Sequence, residues 1–475
     1  MASEILQIID SNSQIAYPID KFEEFLEFFG LPTENIIAPP QDRTIIMQAL
    51  PNFLQSIQPE TKKDARYLSK FVAGAAIGLF DASLNYVWDE VVINLRKKVI
   101  AYGLDIFFDN AVGEKVRAQY TNEEDLKGLK DKILLDTCRK LELISDIVHK
   151  KLSHILTMRN DIGASHPNSY DINPYELLGW LSNCITDVLN DKPSDAAITV
   201  QSIISNLSKN TETLTSETIA TFESAIAQLS SKMAGNLLTS LFGLFISENT
   251  LPIVRTNILL LAPITWNYVL DDVKYDLGEK IDVYKANLDT SRTDRAATFF
   301  EHCDGKRYYS LTAKTIQLST LCDELIDTHN SWDNYYFEPP IARQIMSFIK
   351  IPEDIPSERQ EKIIKVILKC RIGRSVSYCN GVSPGGKKYY DDFFSLLSQD
   401  QIILTLKMLD EDDVKCNLYS DIQKNNCIQI LNTLKSPLCS ERIKEIIDYL
   451  ISHKQILNKI STDKGYKDLV KGILN

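Results

Sequence analysis

The chain has 475 residues, 44 % hydrophobic, 24 % charged and 9 % aromatic, which are values of a folded globular protein and too apolar for a disordered one. With only 18 Gly and 17 Pro it lacks the punctuation that many short strands require, so an all-β architecture is excluded. The 52 Lys+Arg against 64 Asp+Glu give a net charge of -12, so any contact with nucleic acid must come from a local patch.

The length is about three typical domains of ~150 residues, and an all-α protein of several helical regions is expected. Nine scattered cysteines without a CxxC pair argue against a disulfide framework and a thiolate zinc site, and fit a reducing cytoplasm. Met1-Ala2-Ser3-Glu4 is acidic and leads into an amphipathic stretch, so no signal peptide is expected. The most apolar region, 237–246 with 251–270, is broken by Ser247-Glu248-Asn249 and by Arg255, which predicts a buried helical hairpin and no membrane span.

In chain order, residues 1–61 read as a cap of short helices separated by Pro32, Pro39-Pro40, Pro51 and Pro59. A bundle is expected over 62–190. From Lys62 to Ala101 the apolar residues Phe71, Ala75, Leu79, Leu84, Val87, Trp88, Val91 and Leu95 recur at three- and four-residue steps, which predicts one long helix. Gly74 and Gly78 within it suggest close approach of a neighbour. After a capped start at Asn122-Glu123-Glu124-Asp125, a second long helix is expected from Asp131 to Met158, with Ile133, Leu134, Cys138, Leu141, Ile144, Ile147, Val148 and Leu152 facing inward. A turn over 159–172 leads to Asn173-Pro174-Tyr175-Glu176, the opening of a helix to residue 190, and Asp191-Lys192-Pro193-Ser194 is the best linker. Residues 196–350 form a helical middle region with breaks near Leu288, Asp304 and Glu338-Pro339-Pro340, and 351–475 a C-terminal helical region starting at a capping box, Ser357 to Gln360.

The string Arg159-Asn160-Asp161-Ile162-Gly163-Ala164-Ser165-His166-Pro167 carries the most chemistry. The spacing alone is weak, since Arg295 and His302 repeat it within continuous helix. At 159, however, a polar Asn follows the Arg, small residues allow a tight turn, and Pro follows the His. Cleavage of RNA without metal needs proton transfer at a 2′-hydroxyl and a 5′-oxygen, and a cation for the phosphorane. His166 titrates near neutrality and serves proton transfer, while Arg159 offers a planar fork for phosphate oxygens. Asn160 can orient either partner. One Arg and one His are too few for all three roles, so the chemistry favours two copies meeting on a two-fold axis.

A local basic face precedes the motif: Arg139, Lys140, His149, Lys150, Lys151 and His154. Of these, Lys150, Lys151 and His154, with Ser165 in the turn, are the expected RNA-binding residues, although Lys150 and Lys151 point in different directions. His149 and His154 are five apart, the wrong step for paired helical zinc ligands, so no metal is assigned.

The extended Arg-Asn-x-x-Gly-x-x-His-Pro pattern at 159–167 resembles the signature of the HEPN superfamily, particularly its abortive-infection relatives, and the long helices of 62–190 resemble its small α-helical bundles. The resemblance covers under a third of the chain. It implies a metal-independent endoribonuclease with Arg159, Asn160 and His166 in its site, no cofactor, a homodimer with one composite cleft, and a product with 2′,3′-cyclic phosphate ends. It further implies antiphage defence or a growth-arresting toxin, with the later helices as sensor or regulator of a phage trigger. Two other readings stay open: a non-catalytic helical interaction or nucleotide-binding protein, and a HEPN toxin neutralised in trans by an antitoxin partner.

Two further segments stand out. Gly381 to Lys388 matches GxxxxGK but has Lys388 where a P-loop has Ser or Thr, and it follows a helix instead of a strand. With Arg371, Arg374, Tyr378, Tyr389 and Tyr390 around it, it reads as an exposed loop or as a grip on nucleic acid. The segment 329–340 is the densest in aromatics, and reads as a loop anchor or as the wall of a ligand groove.

Overall fold

The computed structural model describes residues 20–117, 119–164, 170–191, 194–435 and 440–472. Every regular element among them is a helix, with one isolated bridge between Arg374 and Gly381. The chain divides into two compact units. The first comprises the described residues up to Leu244 with Asn249–Val269, and the second comprises Phe245–Glu248 with the described residues from Leu270 onwards.

In the first unit the expected helix over 62–101 is a hairpin of two, α1 (Arg66–Ile77) and α2 (Phe80–Tyr102). Gly78 ends α1 in the left-handed region at φ 94°, a conformation that glycine adopts without a Cβ penalty. The apolar period runs across the break, which is why periodicity alone misses it. The close approach suggested by the glycines is present: a Cβ on Gly74 would lie 2.7 Å from Ser83 Oγ, and one on Gly78 would lie 2.9 Å from Ala38 N. No side chain at Ala65 caps α1; instead the buried Glu90 of α2 accepts from the backbone N–H groups of Tyr67 and Leu68 at 3.0 and 3.2 Å. A carboxylate thus meets the positive end of α1 and pins the hairpin.

The second expected helix is likewise two, α3 (Asp131–Lys140) and α4 (Asp146–Met158). Glu142 adopts φ 55° between them, and Ser145 restarts the helix by accepting from Val148 N at 3.2 Å. Leu134, Cys138, Leu141, Ile144 and Leu152 are buried as expected, but the new register turns Ile147 outward, 68 % exposed. Asn122 and Asp125 form their capping box around a short 3-10 helix, and Asn173 and Glu176 form theirs at the start of α5 (Pro174–Cys184). The apolar region forms two helices, Ser231–Ile246 and Pro252–Trp266, with buried residues in both. No helix among the described residues is long and apolar enough to cross a membrane.

The second unit contains α6 (Leu311–Asn330), α7 (Asn334–Phe348), α8 (Gln360–Ile372), α9 (Lys387–Leu396) and α10 (Asp421–Leu434). The break expected at Pro339-Pro340 lies earlier, at 331–333, and α7 runs through both prolines. Pro339 cannot donate to the carbonyl of Tyr335. Ser383 Oγ, fully buried, donates to that oxygen instead at 3.3 Å. The capping box expected at 357–360 is not formed, and α8 starts behind Arg359 without a side-chain cap.

Candidate functional site

The site is built on the end of α4. This helix buries Leu152, Ile155 and Leu156 and then widens into a π-helical turn, Arg159–Ala164, packed on α2. A π turn spends an extra residue per turn and re-aims the side chains that follow, a device concentrated at functional sites. Arg159, half-buried, donates from Nε to Asn85 Oδ1 at 3.1 Å and from Nη1 to Asn160 Oδ1 at 3.0 Å. Both acceptors are neutral amide oxygens, so they fix the fork without cancelling its charge. Asn85 is itself held, donating from Nδ2 to the carbonyl of Asp81 at 3.0 Å.

One turn along α2, Asp89 supplies a counter-charge. Burial raises its carboxyl above the ordinary aspartate range; Arg159, Lys70 and Arg96 pull it back, and Asp131 pushes it up. Asp131 also accepts from Trp88 Nε1 at 2.8 Å, which fixes its place on the wall of the site. Lys70, Arg96 and Arg159 and the carboxylate of Asp131 thus all lie within electrostatic reach of the partly buried Asp89.

Of the residues expected to bind RNA, Lys150 and His154 are exposed on α4 and lie one helical turn apart. Lys151 Nζ is 2.9 Å from Asp187 Oδ2, in the π turn that follows α5. His149 departs from the expected basic face. It is turned inward and its Nε2 lies 2.6 Å from Asp136 Oδ1 on α3, because the restart of the helix at Ser145 rotates it toward that element. Hydrogen bonds to His149 and Lys132 hold the Asp136 carboxyl below the usual range against the opposing effect of burial. Ser165 and His166 lie outside the described residues. Arg295, the motif's repeat, donates to the carbonyl of Ile246 at 2.8 Å, and His302 Nδ1 is 3.0 Å from the carbonyl of its own helix at Thr298. Arg295 thus ties its helix to another element, and His302 lies exposed against its own helix.

The sequence reading missed Asn85 and Asp89. Their signal was a polar stripe, Asp81, Asn85 and Asp89 at four-residue steps, on a helix whose other faces bury Leu84, Trp88 and Val91. Among the described residues no group of three or more His, Cys, Asp or Glu side chains is placed to hold a metal ion. No family model, curated protein or solved structure matches the chain.

Proposed function

We propose that the chain is a metal-independent RNA endonuclease of HEPN type, acting as a homodimer in antiphage defence or as a growth-arresting toxin. The observation that carries this reading is the Arg159 fork, held by Asn85 and Asn160 through neutral acceptors in a π turn at the end of α4. A guanidinium fixed in this way is preorganised for a phosphate oxygen, and its charge remains available to the phosphorane. Asn160 sits beside it as the orienting amide. His166, seven residues on, is the proton-transfer group, and Lys150 and His154 supply an approach for the RNA backbone.

Attack of a ribose 2′-oxygen on the adjacent phosphorus expels the 5′-oxygen, so the products carry a 2′,3′-cyclic phosphate and a 5′-hydroxyl. Two copies supply two arginines and two histidines to one cleft, enough for acid, base and charge stabilisation. The second unit, which lies outside the motif-bearing bundle, is the candidate sensor of a trigger. Incubating the purified chain with total RNA and tRNA in chelator, followed by analysis of product ends, tests this reading. Cyclic-phosphate ends are expected; RNA left uncut by a chain that is also harmless on expression in cells contradicts it.

A further inference from the structure

The two segments left unassigned by the motif, 329–340 and 371–390, meet on one surface of the second unit. Trp332, in the turn between α6 and α7, stacks on Tyr378 at the tip of the 374–381 loop, with ring centroids 4.6 Å apart and planes 10° from parallel. Tyr378 covers one face of the indole, yet Trp332 remains 67 % exposed, so its other face is open. The other three tryptophans, Trp88, Trp180 and Trp266, are all buried. Asp333 and Tyr336 lie close enough to act on the Tyr378 hydroxyl, and Tyr336 is itself exposed.

The two segments that carry the pair are tied together by hydrogen bonds. Arg374 Nη1 donates to the carbonyl of Ser331 and, at 3.3 Å, to Asn334 Oδ1; Tyr335 donates to the carbonyl of Asn380; and Gln423 of α10 bonds the carbonyl of Arg374 and Asn380 Oδ1. Beneath it the fully buried Glu338 accepts from Asn334 Nδ2 at 2.6 Å and Tyr390 at 2.8 Å, and its Oε1 is 2.8 Å from His329 Nδ1. The loop returns through Cys379 at φ 52°, a left-handed conformation that a residue with a Cβ adopts at a cost. Backbone strain and a polar hub thus present two aromatic rings to solvent in fixed register.

We infer that Trp332 and Tyr378 form a stacking platform for a base of single-stranded RNA. An open, flat indole face parallel to a second ring matches a planar π-system, and base stacking on aromatics is the sequence-tolerant mode by which single strands are held. Arg374 brings a cation to the base of the platform for a neighbouring phosphate. The inference takes RNA as ligand from the proposed function and gives its capture to the second unit, at a distance in sequence from Arg159.

The test uses the full chain and a 2′-O-methyl oligoadenylate, which lacks the attacking hydroxyl, so that binding is read apart from cleavage. Stacking should quench the fluorescence of the one exposed tryptophan saturably. Trp332→Ala should abolish the quench and weaken binding, measured by anisotropy of a labelled oligonucleotide, by about fivefold to a hundredfold. Trp332→Phe should recover part of the affinity, and Tyr378→Ala should lose part of it. With one cation and one carboxylate at the platform, the Trp332→Ala loss should be the same at low and high salt. An oligonucleotide that binds without altering the fluorescence, Trp332→Ala binding as tightly as wild type, or quenching by a proline-rich peptide alone would overturn the inference. A saturable quench by a chain that leaves unmodified RNA uncut would let this inference stand while the nuclease reading fails, and cleavage of unmodified RNA without any quench would show the reverse.

Discussion

Arg159 carries its charge on a fork whose two hydrogen bonds end on amide oxygens, and that choice of partner has a measurable consequence. A carboxylate partner would hold the fork equally well but oppose a phosphate. Arg159→Ala should lower cleavage at least about a hundredfold, the scale for one donor to transition-state charge, while the circular dichroism spectrum stays that of the wild type. Asn85 acts through Arg159: Asn85→Ala should cut kcat about tenfold with KM nearly unchanged, because the fork is lost as a preset geometry and not as a charge. The raised carboxyl of Asp89 fixes the sign of a pH effect. Its folded form binds a proton more tightly than its unfolded form, so ionisation costs stability above its folded pKa and the cost disappears as the solution is acidified. Asp89→Asn should therefore gain stability over wild type at pH 7 and lose that advantage near pH 3, as read by urea unfolding at the two pH values.

Helix breaks decide where the site falls. The composition and the capping signals made the helical class, the boxes at Asn122 and Asn173 and the two apolar helices legible, because each rests on local chemistry. The breaks at Gly78 and Glu142 were not legible, since the apolar spacing continues through both, with Ala76 and Phe80 buried around the first and Leu141 and Leu143 around the second. The cost of ignoring the second was concrete: it placed His149 on a basic outer face when it is bonded to Asp136 inside. Pro339 and Pro340 misled in the opposite direction, because the missing donor to Tyr335 is replaced from a residue 48 positions away, a compensation invisible to local reading. Arg159 and Asn160 were found from the motif, while Asn85 and Asp89 were not, because a helix-to-helix contact selects them. Gly78→Ala should destabilise the first unit by about 2 kcal/mol or more, combining the left-handed φ with the contact to Ala38, checked by thermal unfolding. At the other end of the chain, Glu338→Ala strands three buried polar partners and should cost about 3 kcal/mol or more. Hydrogen exchange in α7 and α9 should accelerate accordingly.

For the whole molecule, a net charge of -12 sets the terms on which the proposed RNA substrate would be met. Capture would have to rely on local cations and on stacking, the first proposed for Lys150, His154 and Arg159 in one unit and the second for Trp332 and Tyr378 in the other. The proposed composite cleft would make activity depend on assembly: the chain should then sediment as a dimer, and the rate per chain should fall on dilution through its dissociation constant. The most direct measurement compares single-turnover cleavage of tRNA in chelator by wild type, Arg159→Ala, His166→Ala and Arg295→Ala. Wild type and Arg295→Ala should give cyclic-phosphate products, and Arg159→Ala and His166→Ala none, at matched fold and sedimentation. Cleavage at the wild-type rate by both motif variants would contradict the proposed function and return the 159–166 turn to a structural role.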